Sequence, residues 1–187
     1  MIHKRRRNKL QSGYTLIELM VTLVIAAILL TVGVPAFKTQ MLKSRMSAAA
    51  TDLLGGMMYA KAESIGRSNF VTLCKSNPEA TACITAGGWE QGWLTFIDAD
   101  QDGTIDDGDE IIQVHDAVAD GMTALATADL ANRITYRPNG LTNLGQTESL
   151  VICNENGIAD ARVITVSLLG KGSILKAKDM PGASCPS

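Results

Sequence analysis

A single apolar run near the N-terminus restricts the fold of this chain more than any other feature. From Leu16 to Phe37 the sequence continues for 22 residues with one charged residue, Glu18, and one proline, Pro35. An α-helix of that length covers about 33 Å at ~1.5 Å per residue, which is enough to cross a hydrocarbon core of ~30 Å. The sequence therefore predicts a membrane-spanning half-helix at residues 14–37, with the remaining chain folded outside the bilayer.

Basic residues that precede this run predict its orientation. They are Lys4, Arg5, Arg6, Arg7 and Lys9. The positive-inside rule keeps such a segment in the cytoplasm, so we expect a single pass through a bacterial inner membrane and a periplasmic C-terminal domain. An ordinary secretory signal is cleaved at small residues after its apolar region. Here the small residue Gly13 comes before that region, which argues against such a signal.

Glu18 is the second unusual feature of the run. A carboxylate inside a membrane segment is costly, and such a residue usually has a partner and a function. The basic leader followed by Gly13-Tyr14-Thr15-Leu16-Ile17-Glu18 closely resembles the leader of type IV pilins and type II secretion pseudopilins. The alternative is a plain membrane anchor with a chance Gly-x-x-x-x-Glu.

This resemblance implies a processing site and an assembly group. In the family, a prepilin peptidase cuts after the glycine and methylates the new N-terminus, which implies a removable leader at residues 1–13 and methylation of Tyr14. The family more often has Phe at the first mature position, so Tyr14 is a departure from its pattern. The resemblance also implies that Glu18 pairs with the N-terminal amine of a neighbouring subunit and sets register. Pro35 corresponds to the helix-kinking proline of the family.

Loss of the leader would make the chain more acidic. The leader holds five of the 17 Lys and Arg residues and none of the 19 Asp and Glu residues. The mature chain then has 12 basic and 19 acidic residues, a net charge of −7 with histidine neutral. This charge argues against general binding to phosphate backbones and leaves a local basic patch as the remaining option for nucleic acid.

Four cysteines lie beyond the membrane segment, at Cys74, Cys83, Cys153 and Cys185. An even number in a periplasmic domain indicates two disulfides, for which four cysteines allow three pairings. The short spacing favours Cys74 with Cys83 and leaves Cys153 with Cys185. A zinc site is the alternative to two disulfides, but the sequence has no close Cys-x-x-Cys pair and no histidine near a cysteine.

Two periodicities follow the membrane segment and predict an α+β fold. An apolar stripe at steps of three and four predicts an amphipathic half-helix at residues 38–66 that packs on a globular domain. This stripe consists of Leu42, Met46, Ala49, Leu53, Met57 and Ala60. After Gly66 the period becomes two, so we expect an antiparallel β-domain at residues 67–187. The expected strands are 70–73, 92–97, 110–114, 134–136, 150–153, 162–167 and 172–176, with residues 117–131 unassigned.

This layout narrows the family resemblance. A pilin leader, a strand at residues 92–97 that begins Gly-Trp and precedes an acidic loop, and a cysteine-closed C-terminal β-region are similar to the GspH/FimT family of minor pilins and pseudopilins. The resemblance implies a low-copy subunit near the tip of a periplasmic filament, with other pilins as partners. Such a filament pushes substrates through a secretion channel or forms part of a pilus.

The acidic segment from Asp98 to Glu110 is similar to the calcium loop of an EF-hand. Its candidate ligands are Asp98, Asp100, Asp102, Thr104 through its carbonyl, Asp106 and Asp109. Gly103 stands where the sharp turn needs glycine, but position twelve is Asp109 and Glu110 comes one place late. Because the flanks are expected strands, this would be a calcium loop on a hairpin, and the alternative is a solvated acidic turn.

DNA binding is the rival function. Some FimT-like members resemble DNA receptors for natural transformation, with Gly-Arg-x-Arg on a late β-hairpin. The corresponding residues here are Gly170-Lys171-Gly172-Ser173, followed by Lys176 and Lys178, with Arg162 expected on the preceding strand. A solvated basic edge that discourages strand pairing is the alternative.

Catalysis has little support in the sequence. After leader cleavage His115 is the remaining histidine, and it stands alone on an expected strand. No Ser/His/Asp arrangement, phosphate-binding loop or dinucleotide fingerprint is present. We therefore expect a filament subunit and not an enzyme.

Overall fold

The computed structural model of the protein describes residues 13–118 and 120–185. The basic residues of the leader lie outside these described residues. The chain divides into two compact units, one that ends at Met41 and one that comprises Leu42–Ser187.

The first secondary-structure element is the helix α1, which runs from Leu16 to Arg67 and has 52 residues. Thr15 caps its start, because Thr15 Oγ1 accepts a hydrogen bond of 3.3 Å from the amide of Glu18. This bond satisfies one of the amides that a helix start leaves without a partner. Near its N-terminus α1 has an 18-residue window with a mean hydropathy of 2.5, and among the described residues it is the one helix long and apolar enough to span a membrane.

Eight strands in the described part of the chain follow α1. They are β1 (Val71–Lys75), β2 (Trp93–Ile97), β3 (Glu110–His115), β4 (Met122–Ala126), β5 (Arg133–Tyr136), β6 (Glu148–Asn154), β7 (Arg162–Val166) and β8 (Gly172–Lys176). They form two four-stranded sheets with the orders β3-β2-β1-β5 and β4-β6-β7-β8. All neighbouring strands in both sheets are antiparallel.

Both hairpins expected from the sequence are present. Strand β2 pairs with β3, with Trp93 opposite His115, and the register shifts between Thr95 and Phe96. Strand β7 pairs with β8, with Val166 opposite Gly172. The change to a period of two predicted these four strands. In the structure β2 buries both faces from Trp93 to Phe96, whereas β3 and β8 are half-buried or exposed.

The segment left unassigned at residues 117–131 contains strand β4 and a short 3₁₀ turn, Ala128–Leu130. Its alanines carry little strand propensity, so neighbouring groups determine the conformation. Strand β4 pairs with β6 along its whole length. On its other side, the carboxylate of Glu90 accepts a hydrogen bond of 2.8 Å from the amide of Ala124.

The apolar stripe of α1 forms the centre of the domain core. Met46, Leu53 and Met57 are fully or almost fully buried together with Trp89 and Trp93. Five of the six stripe residues predicted from the sequence are buried, and Leu42 at the start is half-buried. The expected packing of an amphipathic helix on a β-domain is therefore confirmed.

Close packing around Gly56 explains why a glycine lies in the middle of this helix. A Cβ added there would lie 2.6 Å from Nε1 of Trp93 and 3.3 Å from Cδ1 of Leu73. Glycine costs about 1 kcal/mol of helix propensity relative to alanine. Here it allows the helix backbone to pack directly against an indole ring, which no other residue would permit without a shift. The protein has the α+β fold that the sequence predicted, a long N-terminal helix followed by antiparallel sheets.

Candidate functional sites

The start of α1 carries the predicted processing and assembly residues. Gly13 and Tyr14 precede the helix, and Tyr14 is 84% exposed. Glu18 lies in the first helical turn, exposed like the apolar side chains around it. Pro35 lies inside α1, and its carbonyl accepts a hydrogen bond of 3.1 Å from the hydroxyl of Thr39. Because proline has no backbone N–H, the carbonyl of Thr31, one turn earlier, loses its usual helical hydrogen bond.

Two disulfides join the four cysteines, in the pairing favoured from their spacing. Cys74 is bonded to Cys83, and Cys153 is bonded to Cys185. The first bond closes a short loop after β1. The second bond attaches the C-terminal segment to β6, with a sequence separation of 32 residues.

Lys75 is a buried residue in the same region that the sequence reasoning did not single out. Its side chain is almost fully buried, and Nζ donates hydrogen bonds of 3.0 Å to the carbonyl of Thr85 and 2.8 Å to that of Gly87. Burial lowers the pKa of Lys75 because it disfavours the charged form. A lysine in a strand pattern gives no signal of such a role, which depends on a loop that folds over it.

The acidic segment forms the loop between β2 and β3. Asp98, at its start, is fully buried. Oδ2 of Asp98 accepts a hydrogen bond of 2.6 Å from Thr72, and Oδ1 accepts one of 3.4 Å from the amide of Gly103. At the other end, Asp109 accepts bonds from the amides of Ala99 and Asp106 and thereby closes the loop.

The structure brings the predicted calcium ligands into two overlapping groups. Asp98, Asp100 and Asp102 form one, and Asp100, Asp106 and Asp109 form the other; within each group the carboxylate oxygens lie within 4.8 Å of one another. Carboxylate oxygens are the ligands that calcium prefers. Thr104, predicted to contribute its carbonyl, lies in the same loop, and its hydroxyl and its amide both donate hydrogen bonds to Asp102.

The carboxylates of this loop differ in their affinity for a proton. Hydrogen bonds from the hydroxyl and the amide of Thr104 lower the pKa of Asp102. The pKa of Asp106 is raised, mainly by partial loss of solvent and to a smaller extent by repulsion from Asp100 and Asp109. Arg133, on β5, donates a bond of 3.0 Å to the carbonyl of Gly103 and brings a positive charge to the edge of the loop.

The candidate DNA-binding lysines do not form one patch. Lys171 lies in the turn between β7 and β8, next to Gly170, whose carbonyl accepts a bond of 3.2 Å from Lys61. Lys176 lies at the opposite end of β8, about 17 Å along the strand at ~3.3 Å per residue. Lys178 follows Lys176 in a 3₁₀ turn, and Arg162 is opposite Lys176 in the sheet. The strand length therefore separates the lysine of the Gly-Lys-Gly-Ser turn from the others.

Comparisons with known proteins address the family. A family model described as "Type II transport protein GspH" matches residues 49–170, more than half of the chain. The chain belongs to this family. A second model, "Prokaryotic N-terminal methylation motif", matches residues 8–34. A comparison with curated protein sequences finds no significant match.

Two crystal forms of one minor pilin share the fold of this GspH-family chain. The type IV minor pilin FimU of Pseudomonas aeruginosa, strain PAO1, matches with a TM-score of 0.59 and 21% identity over 76% of this chain and 96% of that protein. A second crystal form of FimU matches with a TM-score of 0.55 and 20% identity over 75% and 100%. The minor pseudopilin EpsH of Vibrio cholerae has a TM-score of 0.47 and 10% identity over 74% and 99%.

The coarse function follows from the family and the leader motif together. The GspH-family chain is a minor pilin or pseudopilin of a type II secretion system or a type IV pilus. Its one apolar N-terminal helix, among the described residues, acts as a single-pass anchor for the C-terminal domain. Membership of the pilin family indicates assembly with other pilins in a filament.

Proposed function

We propose that this GspH-family chain acts in the initiation or tip assembly of a periplasmic filament and, in a secretion system, supports protein export. The observation that supports this proposal lies at the start of α1. There a single carboxylate, Glu18, lies in the first helical turn of a segment that is otherwise apolar. Other pilins, the prepilin peptidase and the inner membrane are its proposed partners.

Cleavage after Gly13 would create a positive charge next to this carboxylate. The new amine belongs to Tyr14, which precedes the helix and is exposed. In hydrocarbon an unpaired charge is costly, so the amine of one subunit and Glu18 of another stabilise each other once both lie in the filament core. Thr15 caps the helix by accepting a hydrogen bond from the amide of Glu18. This bond fixes the position of Glu18 in the first helical turn.

We propose a role in assembly and not in catalysis for the globular domain. His115 stacks on Trp93 with ring centroids 3.8 Å apart and an angle of 9° between the planes. Its Nδ1 lies 2.7 Å from the carbonyl oxygen of Asp116. A histidine held in this way is a packing residue at the end of β3. DNA uptake is the alternative function, and the separation of Lys171 from Lys176 weakens it.

Two measurements test the proposal. Intact-mass analysis of the chain from membranes should give a mature N-terminus at Tyr14 with one added methyl group, and Gly13→Val should leave the leader attached. Glu18→Ala should keep membrane insertion but reduce co-purification with filament subunits, whereas the neighbouring substitution Thr22→Ala should change neither. A mature N-terminus elsewhere, or normal incorporation of the Glu18→Ala chain, would contradict the proposal.

A further inference from the structure

The four edge strands of the two sheets differ in how their outer backbone groups are covered. An edge strand presents unpaired N–H and C=O groups that can pair with another extended chain unless the protein blocks them. On β5 the backbone of Thr135 bonds to the amide and to the side chain of Asn143. On β4 the amide of Ala124 donates to the carboxylate of Glu90. Strand β8 is flanked by lysines, which are common guards of an edge.

Strand β3 is the edge that lacks such protection among the described residues. It is the outer strand of its sheet, and its sequence, Glu-Ile-Ile-Gln-Val-His, has no lysine and no proline. Apart from the ladder with β2, no backbone–backbone hydrogen bond joins β3 to another described residue. Since alternate residues of a strand direct their N–H and C=O groups to the same side, about half of these groups face outward. Strand β3 is therefore a free template for one more strand.

The free edge adjoins an apolar surface on the face of the sheet that is directed away from α1. Val114 is opposite Leu94 and Ile111 is opposite Phe96, and both partners belong to a buried cluster on that face. Residues opposite each other on neighbouring strands share a face. Val114 and Ile111 are still 48% and 37% exposed. They offer apolar contacts to the side chains of an added strand.

A cavity of about 370 Å³ lies at the C-terminal end of the same edge. Val114, Pro78 and Ala80 supply apolar parts of its wall, and Asn77 and Asp116 supply polar groups. The shorter disulfide closes the loop that carries Pro78 and Ala80, so the cavity is already formed in the free domain. A cavity beside an edge strand accepts one side chain of an added strand and thereby selects it.

The surroundings of β3 are strongly acidic. Residues 76–132, which supply β2, β3 and the cavity, contain twelve Asp and Glu residues and no Lys or Arg. Glu110 and Asp116 place exposed carboxylates at the two ends of the strand. Glu79 adds a carboxylate beside the cavity, where it accepts a hydrogen bond of 2.9 Å from the side chain of Asn77. This charge complements a basic ligand.

Cations from other segments do not neutralise the cavity. Arg67 approaches Glu110, the first residue of β3, and Arg133 donates to the carbonyl of Gly103 in the acidic loop. Lys75 is almost fully buried, and its ammonium group donates to two loop carbonyls. None of these three side chains lines the cavity. The C-terminal half of β3 therefore keeps its negative charge.

We propose that β3 accepts an extended, basic segment of a partner protein as a fifth strand of the sheet, with an arginine side chain of that segment in the cavity. Main-chain hydrogen bonds to β3 supply affinity, and the cavity supplies selectivity. The aliphatic part of an arginine packs on Val114 and Pro78, while its guanidinium group faces Asp116. This site belongs to the globular domain and goes beyond the proposed assembly role of Glu18.

The two parts of this contact respond differently to salt. Exposed charges around the strand attract a basic segment, and salt screens that attraction. The hydrogen bonds of a β-ladder join neutral groups, so they are much less sensitive to ionic strength. We therefore expect binding to weaken as salt rises but to persist at ~0.15 M, where attraction by exposed charges alone is largely screened.

The test uses the full chain in a nonionic detergent with a chelator, which removes calcium from the acidic loop. The probe is a fluorescein-labelled peptide, Lys-Val-Thr-Arg-Thr-Val-Lys, whose valines and arginine lie on one face of a strand. Fluorescence anisotropy at ~0.15 M salt measures binding. We expect saturable binding, and exchange of the arginine for glutamate should weaken it at least about tenfold.

Methylated backbone amides test the formation of a strand. Because neighbouring residues of a strand direct their N–H groups to opposite edges, methylation at the two valines and methylation at the two threonines block opposite edges of the peptide. An added strand pairs with β3 through one edge only. We therefore expect one of the two methylated peptides to lose binding and the other to retain it.

Changes in the chain locate the site. Asp116→Lys removes the carboxylate at the cavity and should weaken binding at least about tenfold. The control Asp52→Lys makes the same charge change at an exposed position on α1 and should leave binding unchanged. In the wild-type chain, the peptide should slow hydrogen exchange of the β3 amides and leave that of β8, an edge of the other sheet, unchanged.

Four results would overturn the proposal. They are the absence of saturable binding, identical behaviour of the two methylated peptides, normal binding by the Asp116→Lys chain, and protection that appears in β8 instead of β3. Equal binding of both methylated peptides would show ionic attraction only. A circular dichroism melt verifies the fold of each variant, and hydrogen exchange of the wild-type chain decides the matter if Asp116→Lys does not fold. Glu18 is unchanged throughout, so failure here leaves the test of filament incorporation unaffected.

Discussion

The hydroxyl of Thr72 donates a hydrogen bond of 2.6 Å to Oδ2 of Asp98, and both residues are fully buried. Thr135 lies 2.7 Å from the same hydroxyl oxygen. Because Thr72 gives its one proton to the carboxylate, Thr135 must donate to Thr72. A chain of hydroxyls on β5 and β1 thus positions the first carboxylate of the acidic loop.

Removal of this hydroxyl should destabilise the domain. Thr72→Val keeps the shape of the side chain and leaves one oxygen of a buried carboxylate without its donor. The free energy of unfolding should fall by about 1–3 kcal/mol, as is usual for an unsatisfied buried group. Denaturant unfolding of wild type and variant measures the difference. Thr123→Val, at an exposed position on β4, serves as the control and should change stability by less than about 0.5 kcal/mol.

Calcium should stabilise the domain if the acidic loop binds it. The melting temperature of residues 38–187 should rise with calcium concentration, because an ion that binds only the folded state adds about 2.7 kcal/mol at 100 times its Kd. Asp100→Asn should abolish the rise, because Asp100 belongs to both carboxylate groups.

The matched control for calcium is Asp107→Asn, which changes the same charge in the same loop but at a residue outside both groups. It should retain most of the rise in melting temperature. An unchanged melting curve at millimolar calcium for the wild-type domain would favour the solvated acidic turn.

The two disulfides should differ in their contribution to stability. Cys153→Ser with Cys185→Ser should lower the free energy of unfolding by about 3–4 kcal/mol, and Cys74→Ser with Cys83→Ser by about 2–3 kcal/mol, because loss of the longer loop restores more freedom to the unfolded chain. The sequence separations are 32 and 9 residues. Urea unfolding of each double variant tests the order, and equal losses would count against the loop-length argument.

Tyr136 should make the domain sensitive to alkaline pH. Its side chain is fully buried, its hydroxyl has no hydrogen-bond partner among the described residues, and burial raises its pKa far above the ordinary value of 10.0. Above pH ~10 the unfolded chain releases the phenolic proton while the folded chain retains it, so the contribution of this group to stability falls as pH rises.

Tyr136→Phe should remove that part of the alkaline loss and change stability at neutral pH by no more than about 1 kcal/mol, since no hydrogen bond is lost. Tyr59→Phe is the control, because Tyr59 is only half-buried. Unfolding free energies at pH 8 and pH 11 provide the comparison. A pH dependence that is identical in the Tyr136→Phe chain would show that other groups cause it.

DNA binding should be weak. The mature chain has a net charge of −7, and three or four phosphate contacts give an affinity that largely vanishes near physiological salt. Anisotropy titrations at two salt concentrations measure it. Micromolar or tighter binding at ~0.15 M salt, lost on Lys171→Ala with Lys176→Ala, would instead make DNA uptake the function.

Local patterns in the sequence were sufficient to predict the helix and most strands. The stripe from Leu42 to Ala60 identified the buried face of α1, and the alternation around Trp93 and Val163 identified sheet strands. These signals are local because a helix or a strand buries one face with a fixed period. Strand β4 escaped prediction, because its conformation depends on pairing with β6 and on the carboxylate of Glu90.

The sequence by itself determined the leader motif, the membrane segment, the family and the ligand types of the acidic loop, since these depend on residue identity and short spacing. Only the tertiary structure decided which of these residues meet. In the folded domain Asp98 is hydrogen-bonded to Thr72, and Trp93 packs against Gly56. Lys171 and Lys176 lie at opposite ends of β8. Such relationships join residues far apart in the chain, and they arise from packing between helix and sheet, which no local period encodes.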